Sequence, residues 1–497
     1  MAILFIMIPL ITAFVTVIIA KADERAQDAL AFMAGLSLVV LSFATLNDLI
    51  PLTSGVIVYK VGNWKPPLGI SLVIDGLSAF MLATVNLIAL ISAVYSSGYM
   101  KRYTDKWKFY ALFLLMLTGI NGVLVSGDIF NLYVFMEIAA ISAYFLVAFG
   151  TGPEELEASF KYAVMGAAAS CFIFLGIGFL YGYGSTLNMA DMSSVLLARG
   201  PARSVQFVSV LFLMGFGLKA ALVPFHAWLA YAHSSAPAPV SAMLSGVLIK
   251  VLGIYTLARI FFNIFGMPSG VPDILITLAV LSMIVGALMA FTQSDIKRML
   301  AYSTVSQIGY IALGLGIGTP LAILGALFHL FNHSLFKSLL FLNASSVELI
   351  AGTRDLRKIS GIVARAPLTG YTTLLSALSI CGVPPLGGFW SKLIIILACV
   401  QAGHPALAAT AVVVSVLTLG YYFKSLTPVL FGAASESGSS RAAPSFAMNA
   451  AMLALAALVV LSAAVLLPQI GNIFMDGAVS VLINGAGYAN IVFEALR

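Results

Sequence analysis

The sequence predicts an all-α polytopic membrane protein, and three observations carry that expectation. Of its 497 residues 61% are hydrophobic and only 9% are charged, with a mean hydropathy of +1.06, whereas an ordinary soluble domain has about 25% charged residues. The apolar runs are continuous rather than alternating with period two, which excludes a membrane β-barrel. At about 20 residues per span, the chain has room for roughly fourteen transmembrane helices.

Residues 2–20 form the first span. No basic segment precedes them and no small-residue cleavage pattern follows, so they are not a signal peptide. Further spans fall near 27–47, 71–97, 109–127, 129–150, 158–183, 206–223 and 241–264. The series continues with 272–292, 300–319, 320–346, a long broken stretch at 368–403, then 408–432 and 448–468. Residues 1–108 then make an N-terminal three-helix segment. Residues 109–264 and 272–432 make two five-helix groups, and 448–497 a last helix with a short tail. The broken helix is the fourth of each group. An odd number of spans per group gives the two groups opposite topology, so an inverted five-helix repeat is expected.

An even number of spans places both termini on one side. With the N-terminus outside, the inner loops carry Lys21, Arg25, Lys101, Arg102, Lys106, Lys108, Lys297, Arg298, Arg354, Arg357, Lys358, Arg365, Lys424 and Arg441. The outer segments carry Lys60, Lys65, Arg199, Arg203, Arg259 and Arg497. Fourteen against six orients both termini outward from a bacterial-type inner (plasma) membrane. The net charge of +6 belongs to this bias and not to nucleic-acid binding, since no long basic cluster exists. Cys171, Cys381 and Cys399 are far apart and form no CxxC, so neither a disulfide framework nor an iron–sulfur site is indicated. Glu154, Glu155 and Glu157 make a solvated face or a contact for a basic partner.

Charges inside the spans are the functional signal. Lys219, Lys250, Lys337, Lys392 and Glu137 lie in apolar stretches, and each costs roughly 2.5–3.5 kcal/mol at bilayer centre unless paired or hydrated. Proton handling is the commonest reason to bear that cost. Burial lowers a lysine's pKa and a nearby carboxylate raises it again, so a moving acid can load or unload the amine. Glu137 is the acid deep in a span and the expected partner of Lys219, as a proton switch or as a static ion pair. Lys250 has no evident acid partner.

Two spans are interrupted. GLKAALVPFHAWLAYAH (217–233) has Pro224 just after Lys219, and CGVPPLGGFWSKLIIILA (381–398) has Pro384 and Pro385 before Lys392. Such breaks free backbone carbonyls, which is tolerated only in a protein interior or beside water, and transporters place ion sites there. FHLFNHSLFK puts His329, His333 and Lys337 at i, i+4 and i+8, one stripe of one helix. A proton relay, structural hydrogen bonding and a metal site all remain open for this stripe, although no Glu, Cys or third His accompanies the pair on this helix as a further metal ligand. His226 and His233 flank the first break and face the inner side in this topology, either lining a proton entry or merely solvated. Asp75 and Asp128 read as helix caps, and GLGIG (314–318) as helix packing. No Walker, haem or flavin motif is present. No cofactor is expected, and the chain has no redox or ATP-hydrolysing chemistry of its own.

Several segments carry a family resemblance: GDIFNLYVFMEIAAISAY (127–144), PFHAWLAYAHSSAPAPVSAMLSGVLIKVLGIY (224–255), SDIKRMLAYSTVSQIGYI (294–311), FHLFNHSLFKSLLF (328–341) and GVPPLGGFWSK (382–392). In this order they resemble the antiporter-like subunit family over about residues 70–430. That family comprises large membrane subunits of respiratory complex I, their equivalents in membrane-bound hydrogenases, and large subunits of Mrp-type Na⁺/H⁺ antiporters. The resemblance implies two inverted five-helix repeats and a hydrated polar axis. It matches Glu137, Lys219, Lys250, the His329–His333–Lys337 stripe and Lys392 to the family's relay positions. It also implies membrane-subunit partners, with protons and Na⁺ as the candidate transported ions. GDIFNLYVF with Glu137 looks closer to the Mrp D-type and hydrogenase subunits. The expectation is therefore a D-type subunit of an Mrp-like antiporter, with an equivalent proton-pumping subunit of complex I or a membrane-bound hydrogenase as the alternative.

Overall fold

The computed structural model describes residues 1–19, 24–50, 55–200, 203–433 and 443–496. Lys21, Arg441 and Arg497, which enter the charge count above, lie outside the described residues. The chain runs through α1 (Leu4–Ile18) and α2 (Glu24–Leu49), then a hairpin of β1 (Val56–Lys60) and β2 (Ser71–Asp75). Next come α3 (Gly76–Tyr99), α4 (Lys106–Val125), α5 (Ile129–Val147), α6 (Pro153–Gly184) and α7 (Met189–Arg199). The first interrupted helix is α8 (Arg203–Lys219) with α9 (Ala227–Ser235). There follow α10 (Ala238–Ile264), α11 (Val271–Thr292), α12 (Ile296–Ile317) and α13 (Pro320–Ala351). The second interrupted helix is α14 (Pro367–Cys381) with α15 (Gly387–Gln401), before α16 (Pro405–Phe431) and α17 (Phe446–Leu461). Three short helices end the chain: α18 (Pro468–Phe474), α19 (Asp476–Ile483) and α20 (Tyr488–Leu496).

The protein is a multi-pass helical membrane protein. Among the described residues, eleven helices are long and apolar enough to cross a bilayer. The expected fourteen spans include three that have no single helix of that length. Helix α1 has 15 residues, about 22 Å at 1.5 Å per residue, and each interrupted span is divided into limbs. Peripheral helices turn apolar side chains outward, as Phe160, Leu288 and Phe423 do, whereas α10 is enclosed on all sides.

The span expected at 71–97 begins instead as a strand. Val56–Lys60 pairs antiparallel with Ser71–Asp75, and the helix starts only at Gly76. The switch is made by a capping box: the Asp75 carboxylate accepts from Ser78 N at 3.0 Å, and the Ser78 hydroxyl accepts from Asp75 N at 2.9 Å. Asp128 caps α5 as expected, accepting from the backbone N–H groups of Phe130 and Asn131 at 3.0 and 2.8 Å. The GLGIG glycines pack as expected, Gly316 against Ile276 of α11 and Gly314 against Ala326 of α13.

Arg259, counted above as an outer-loop charge, is buried in α10. Its guanidinium holds Asp75 bidentately at 2.5 and 2.7 Å and also reaches Asn263 Oδ1 at 3.1 Å and Tyr255 Oη at 3.2 Å. Helical packing near position 75 leaves the caps of α3 and the end of α10 facing each other, a proximity that chain order does not show. Residues after α17 extend this cluster, with Tyr488 5.6 Å from the Arg259 guanidinium and Val481 O accepting from Asn263 Nδ2 at 2.9 Å. At the opposite end Lys106 binds Asp28 at 2.7 Å and Lys297 binds Glu348 at 2.8 Å. Arg354 faces Glu154, Asp295 and Glu348 at 3.3, 3.5 and 3.9 Å.

Arg259→Met leaves the Asp75 carboxylate buried and alone, and is expected to destabilise the protein by about 3–5 kcal/mol. The measurement is thermal unfolding in mild detergent, where Asp75→Asn combined with Arg259→Met should recover most of the loss.

Candidate functional site

The first break begins where α8 stops, at Lys219. Ala221 takes a left-handed conformation (φ +56°), Val223 N donates to Ser282 Oγ at 2.9 Å, and α9 resumes at Ala227. The carbonyl of Leu218 accepts from the Trp228 indole at 3.2 Å, which closes the limbs onto each other. Gly253 of α10 lies directly on the Ala220 backbone, so any side chain there would wedge α10 away from the break.

Lys219 does pair with Glu137, as the sequence led one to expect, at 3.3 Å. A serine completes the contact. Lys219 Nζ donates to Ser170 Oγ at 3.1 Å, and the Ser170 hydroxyl donates to Glu137 Oε1 at 2.5 Å. The Glu137 side chain is 24% exposed and that of Asp75 1%, so the most deeply buried acid is the one in the Arg259 pair. Glu137 stands at the flank of the bundle, where α5 and α6 meet.

Lys250 is fully buried at the centre of α10. The helix is wound as π turns over Leu244–Leu248 and again over Lys250–Tyr255, and π insertions concentrate at functional sites because they loosen backbone carbonyls. Lys250 Nζ takes two such carbonyls, Ser245 O at 2.5 Å and Gly246 O at 2.8 Å. No carboxylate meets it among the described residues. A cavity of about 10 Å³ lies between Lys219, Trp228 and the Leu248, Ile249 and Leu252 side of α10, roughly the room one water needs.

His329, His333 and Lys337 follow one another along α13, all fully buried. Lys337 donates to Leu300 O of α12 at 2.6 Å and to Ser303 Oγ. His329 is held from both sides, Nδ1 2.9 Å from Ser391 Oγ and Nε2 3.1 Å from Gln307 Oε1. An amide oxygen only accepts, so in this arrangement Nε2 carries the proton, and the single hydroxyl proton of Ser391 is shared between Nδ1 and Gly388 O, 3.1 Å away. His333 is not held: neither ring nitrogen has a protein partner among the described residues. The charges of Lys250, Lys337 and Lys392 all act on it.

The second break repeats the logic of the first. Helix α14 ends at Cys381, Gly382 turns the chain at φ +82°, and α15 starts at Gly387. Gly388 rests on the Ser379 carbonyl with no space for a Cβ. Lys392 reaches back across the gap to the freed carbonyl of Ile380 at 2.7 Å, with Ser415 Oγ at 3.4 Å. Its ammonium thus lies at the negative end of α14. Tyr310 faces it, the ring centroid 5.2 Å from Nζ.

Of the seven residues singled out in the sequence, Glu137 and Lys219 are paired, and the His333 ring lies 6.2 Å from that of His329, within reach of the charges of Lys250, Lys337 and Lys392. His226 is half-buried within the first break. His233 is not a solvated loop residue: α9 carries it inside the protein, with no exposed surface. The sequence reading missed the hydroxyl and amide partners Ser170, Ser303, Gln307, Ser391 and Ser415. Serines are frequent in these helices and carry no periodic mark. The signal for Ser391 was faint but present, a polar residue one turn into α15 beside the already suspect Lys392.

Residues 126–418 match the family model described as NADH:quinone oxidoreductase/Mrp antiporter, transmembrane. Residues 61–110 match the N-terminus of chain 5 of NADH-ubiquinone oxidoreductase (complex I). The chain is 41% identical over 371 residues, 74% of each protein, to the N-type subunit of NADH-quinone oxidoreductase from Desulforudis audaxviator. It is 35% identical over 420 residues, 84% of each, to the D-type subunit of the Na⁺/H⁺ antiporter from Alkalihalophilus pseudofirmus. Among solved structures, it is similar to a chain of an archaeal respiratory complex, the membrane-bound sulfane sulfur reductase, with a TM-score of 0.91 and 32% identity. It is equally similar to a chain of the Mrp complex from Dietzia sp. DQ12-45-1b, with a TM-score of 0.90 and 29% identity; both matches cover 99% of each chain. On the length of the first match and the identity to these relatives, the chain belongs to the NADH:quinone oxidoreductase/Mrp antiporter family of membrane subunits.

Proposed function

We propose that this protein is the proton-translocating D-type subunit of a multi-subunit Mrp-type Na⁺/H⁺ antiporter. The observation that carries the reading is a set of four buried lysines and two buried histidines inside the helices, of whose lysines only Lys219 meets a carboxylate among the described residues. A structural ion-pair network would satisfy each ammonium with a carboxylate, as happens for Arg259, Lys106 and Lys297. Here Lys250, Lys337 and Lys392 rest on neutral oxygens, which hold an amine in either protonation state. Glu137, through Ser170, sets the charge of Lys219. Lys250 passes the proton by way of Lys337, His333 and His329, and Lys392 exchanges it with the far side. Residues 109–264 and 272–432 form the two inverted halves, each with a lysine at its broken helix, between the segments 1–108 and 448–497. Both termini face outward from the inner membrane. Sodium, which wants several oxygen ligands, crosses in a partner subunit.

The second reading is the equivalent subunit of a redox-driven complex, favoured by the identity to the NADH-quinone oxidoreductase relative and by the likeness to the sulfane sulfur reductase chain. Its proton path would be the same. Extraction of the native complex in mild detergent and mass spectrometry of the co-purifying chains decides between them. Small hydrophobic subunits with larger antiporter-like chains support the antiporter, and peripheral iron–sulfur subunits replace it with the redox complex.

Lys219→Ala and Lys250→Ala are each expected to assemble and to slow proton translocation in proteoliposomes by about 100-fold or more; wild-type rates in both would sink the relay. Ser170→Ala removes the two hydrogen bonds that its hydroxyl makes to Lys219 and Glu137, each worth about 1 kcal/mol, and should slow the same assay by roughly thirtyfold.

A further inference from the structure

A cavity of about 370 Å³ opens on the flank of the bundle, between α4 and the turn that joins α5 to α6. Its volume falls in the range of about 300–1,000 Å³ usual for small-molecule sites. Tyr103, Leu112, Phe145 and Leu156 line it together with Asp105 and Lys108. Phe145 and Leu156 are 61% and 53% exposed, so apolar walls turned to the membrane meet a charged rim at its boundary.

The helix that carries the rim charges does not account for them. Asp105 occupies the cap position of α4, yet its carboxylate caps no backbone N–H and holds Lys108 Nζ at 2.7 Å instead. Lys108 lies in the first turn, where the helix dipole disfavours a cation. An exposed ion pair of this kind adds little to stability. The Glu155 carboxylate lies close against Gly150, which also lines the cavity. The rim thus has one ammonium and two carboxylates near it.

The apolar wall continues along α5. Phe145, Ile141 and Glu137 follow at four-residue spacing on one stripe. Ile141 is 50% exposed, and the Glu137 side chain 24%. From Ala148 at the cavity to Glu137 the chain rises about 16 Å, close to the roughly 15 Å of hydrocarbon in one leaflet.

We infer that this cavity binds a zwitterionic phospholipid with a primary ammonium, of the phosphatidylethanolamine class, and that one of its acyl chains lies along α5 and covers Glu137. Lys108 donates to the phosphate and Asp105 accepts from the ammonium, so the headgroup replaces their direct contact. An anionic headgroup without an ammonium would bring a further negative charge to Asp105 and Glu155. A quaternary ammonium has no N–H to give either carboxylate. The acyl chain packs on Phe145 and Ile141 and keeps water from the exposed side of Glu137, which leaves Lys219 as its proton partner. That last consequence rests on the proton-translocation reading above, whereas the site does not.

The test uses the native complex in mild detergent. Phosphatidylethanolamine and phosphatidylglycerol of equal chain length are added in equal amounts, and retained lipid is counted by native mass spectrometry. The wild-type complex should retain phosphatidylethanolamine at least about fivefold in excess. Lys108→Ala and Asp105→Asn should each lower that retention by about fivefold. Ala148→Trp, which fills the chamber without touching a charge, should lower it at least as far. Equal retention of the two lipids, or unchanged retention in all three variants, overturns the inference. The course of the chain is read with phosphatidylethanolamine carrying a diazirine near the end of one acyl chain, irradiated on the wild-type complex. Adducts on α5 between Glu137 and Phe145 are expected. Adducts confined to other segments, or to a partner subunit covering this flank, overturn the placement over Glu137. Neither readout involves translocation, so failure of the lipid site and failure of the proton path are told apart.

Discussion

An ammonium group inside a membrane protein must meet oxygen, and the architecture of this chain follows from supplying it. Regular helix consumes every interior carbonyl in its own ladder, so an acceptor for a buried lysine has to come from a defect, a hydroxyl or an acid. Each lysine of the proposed path uses one of these. Lys250 takes carbonyls at a π turn, Lys392 a carbonyl at the end of a broken helix, Lys337 a carbonyl and a serine of the neighbouring helix, and Lys219 a serine and Glu137. Breaks and π turns are costly in hydrogen bonds, and here they occur at the lysines that need them.

The same molecule shows what charges look like when they are meant to stay put. Asp75 and Arg259 satisfy each other bidentately, with Tyr255, Asn263 and Ser78 filling the remaining sites. Lys106 with Asp28, and Lys297 with Glu348, are also closed pairs. These lie at the ends of helices and pin one element to another. Along the proposed path the partners are mostly neutral, so removing a proton from an amine leaves no stranded carboxylate behind. Closed ion pairs hold the frame, whereas the buried lysines of the proposed path rest mostly on neutral groups.

The two histidines of α13 divide the work in the same manner. His329 is fixed by Ser391 and Gln307 into one tautomer, while His333 has no protein partner at either nitrogen among the described residues and feels three lysines. The close approach of Gly253 to Ala220 presses α10 against the first break, and that of Gly388 to Ser379 closes the two limbs of the second break onto each other. Small residues at these crossings set the spacing of the proposed path as directly as the charged ones set its chemistry.

The sequence by itself determined the membrane class, the positions of nearly all the helices and the four lysines buried within them. Hydropathy over a whole span is a sum of many side chains and tolerates local exceptions, and a lysine in an apolar run is conspicuous because it is expensive. Proline and glycine likewise announce the two breaks, since their backbone effects are local. What tertiary structure decided were the partners. Arg259 is an ordinary basic residue near the end of a span until α3 brings Asp75 to it from 184 positions away. Ser170 is one small polar residue among alanines until α6 lies between Glu137 and Lys219. His233 reads as a loop histidine until α9 folds inward. Those contacts depend on which helix faces which, and that is fixed by packing over the whole bundle and not by any local run of residues.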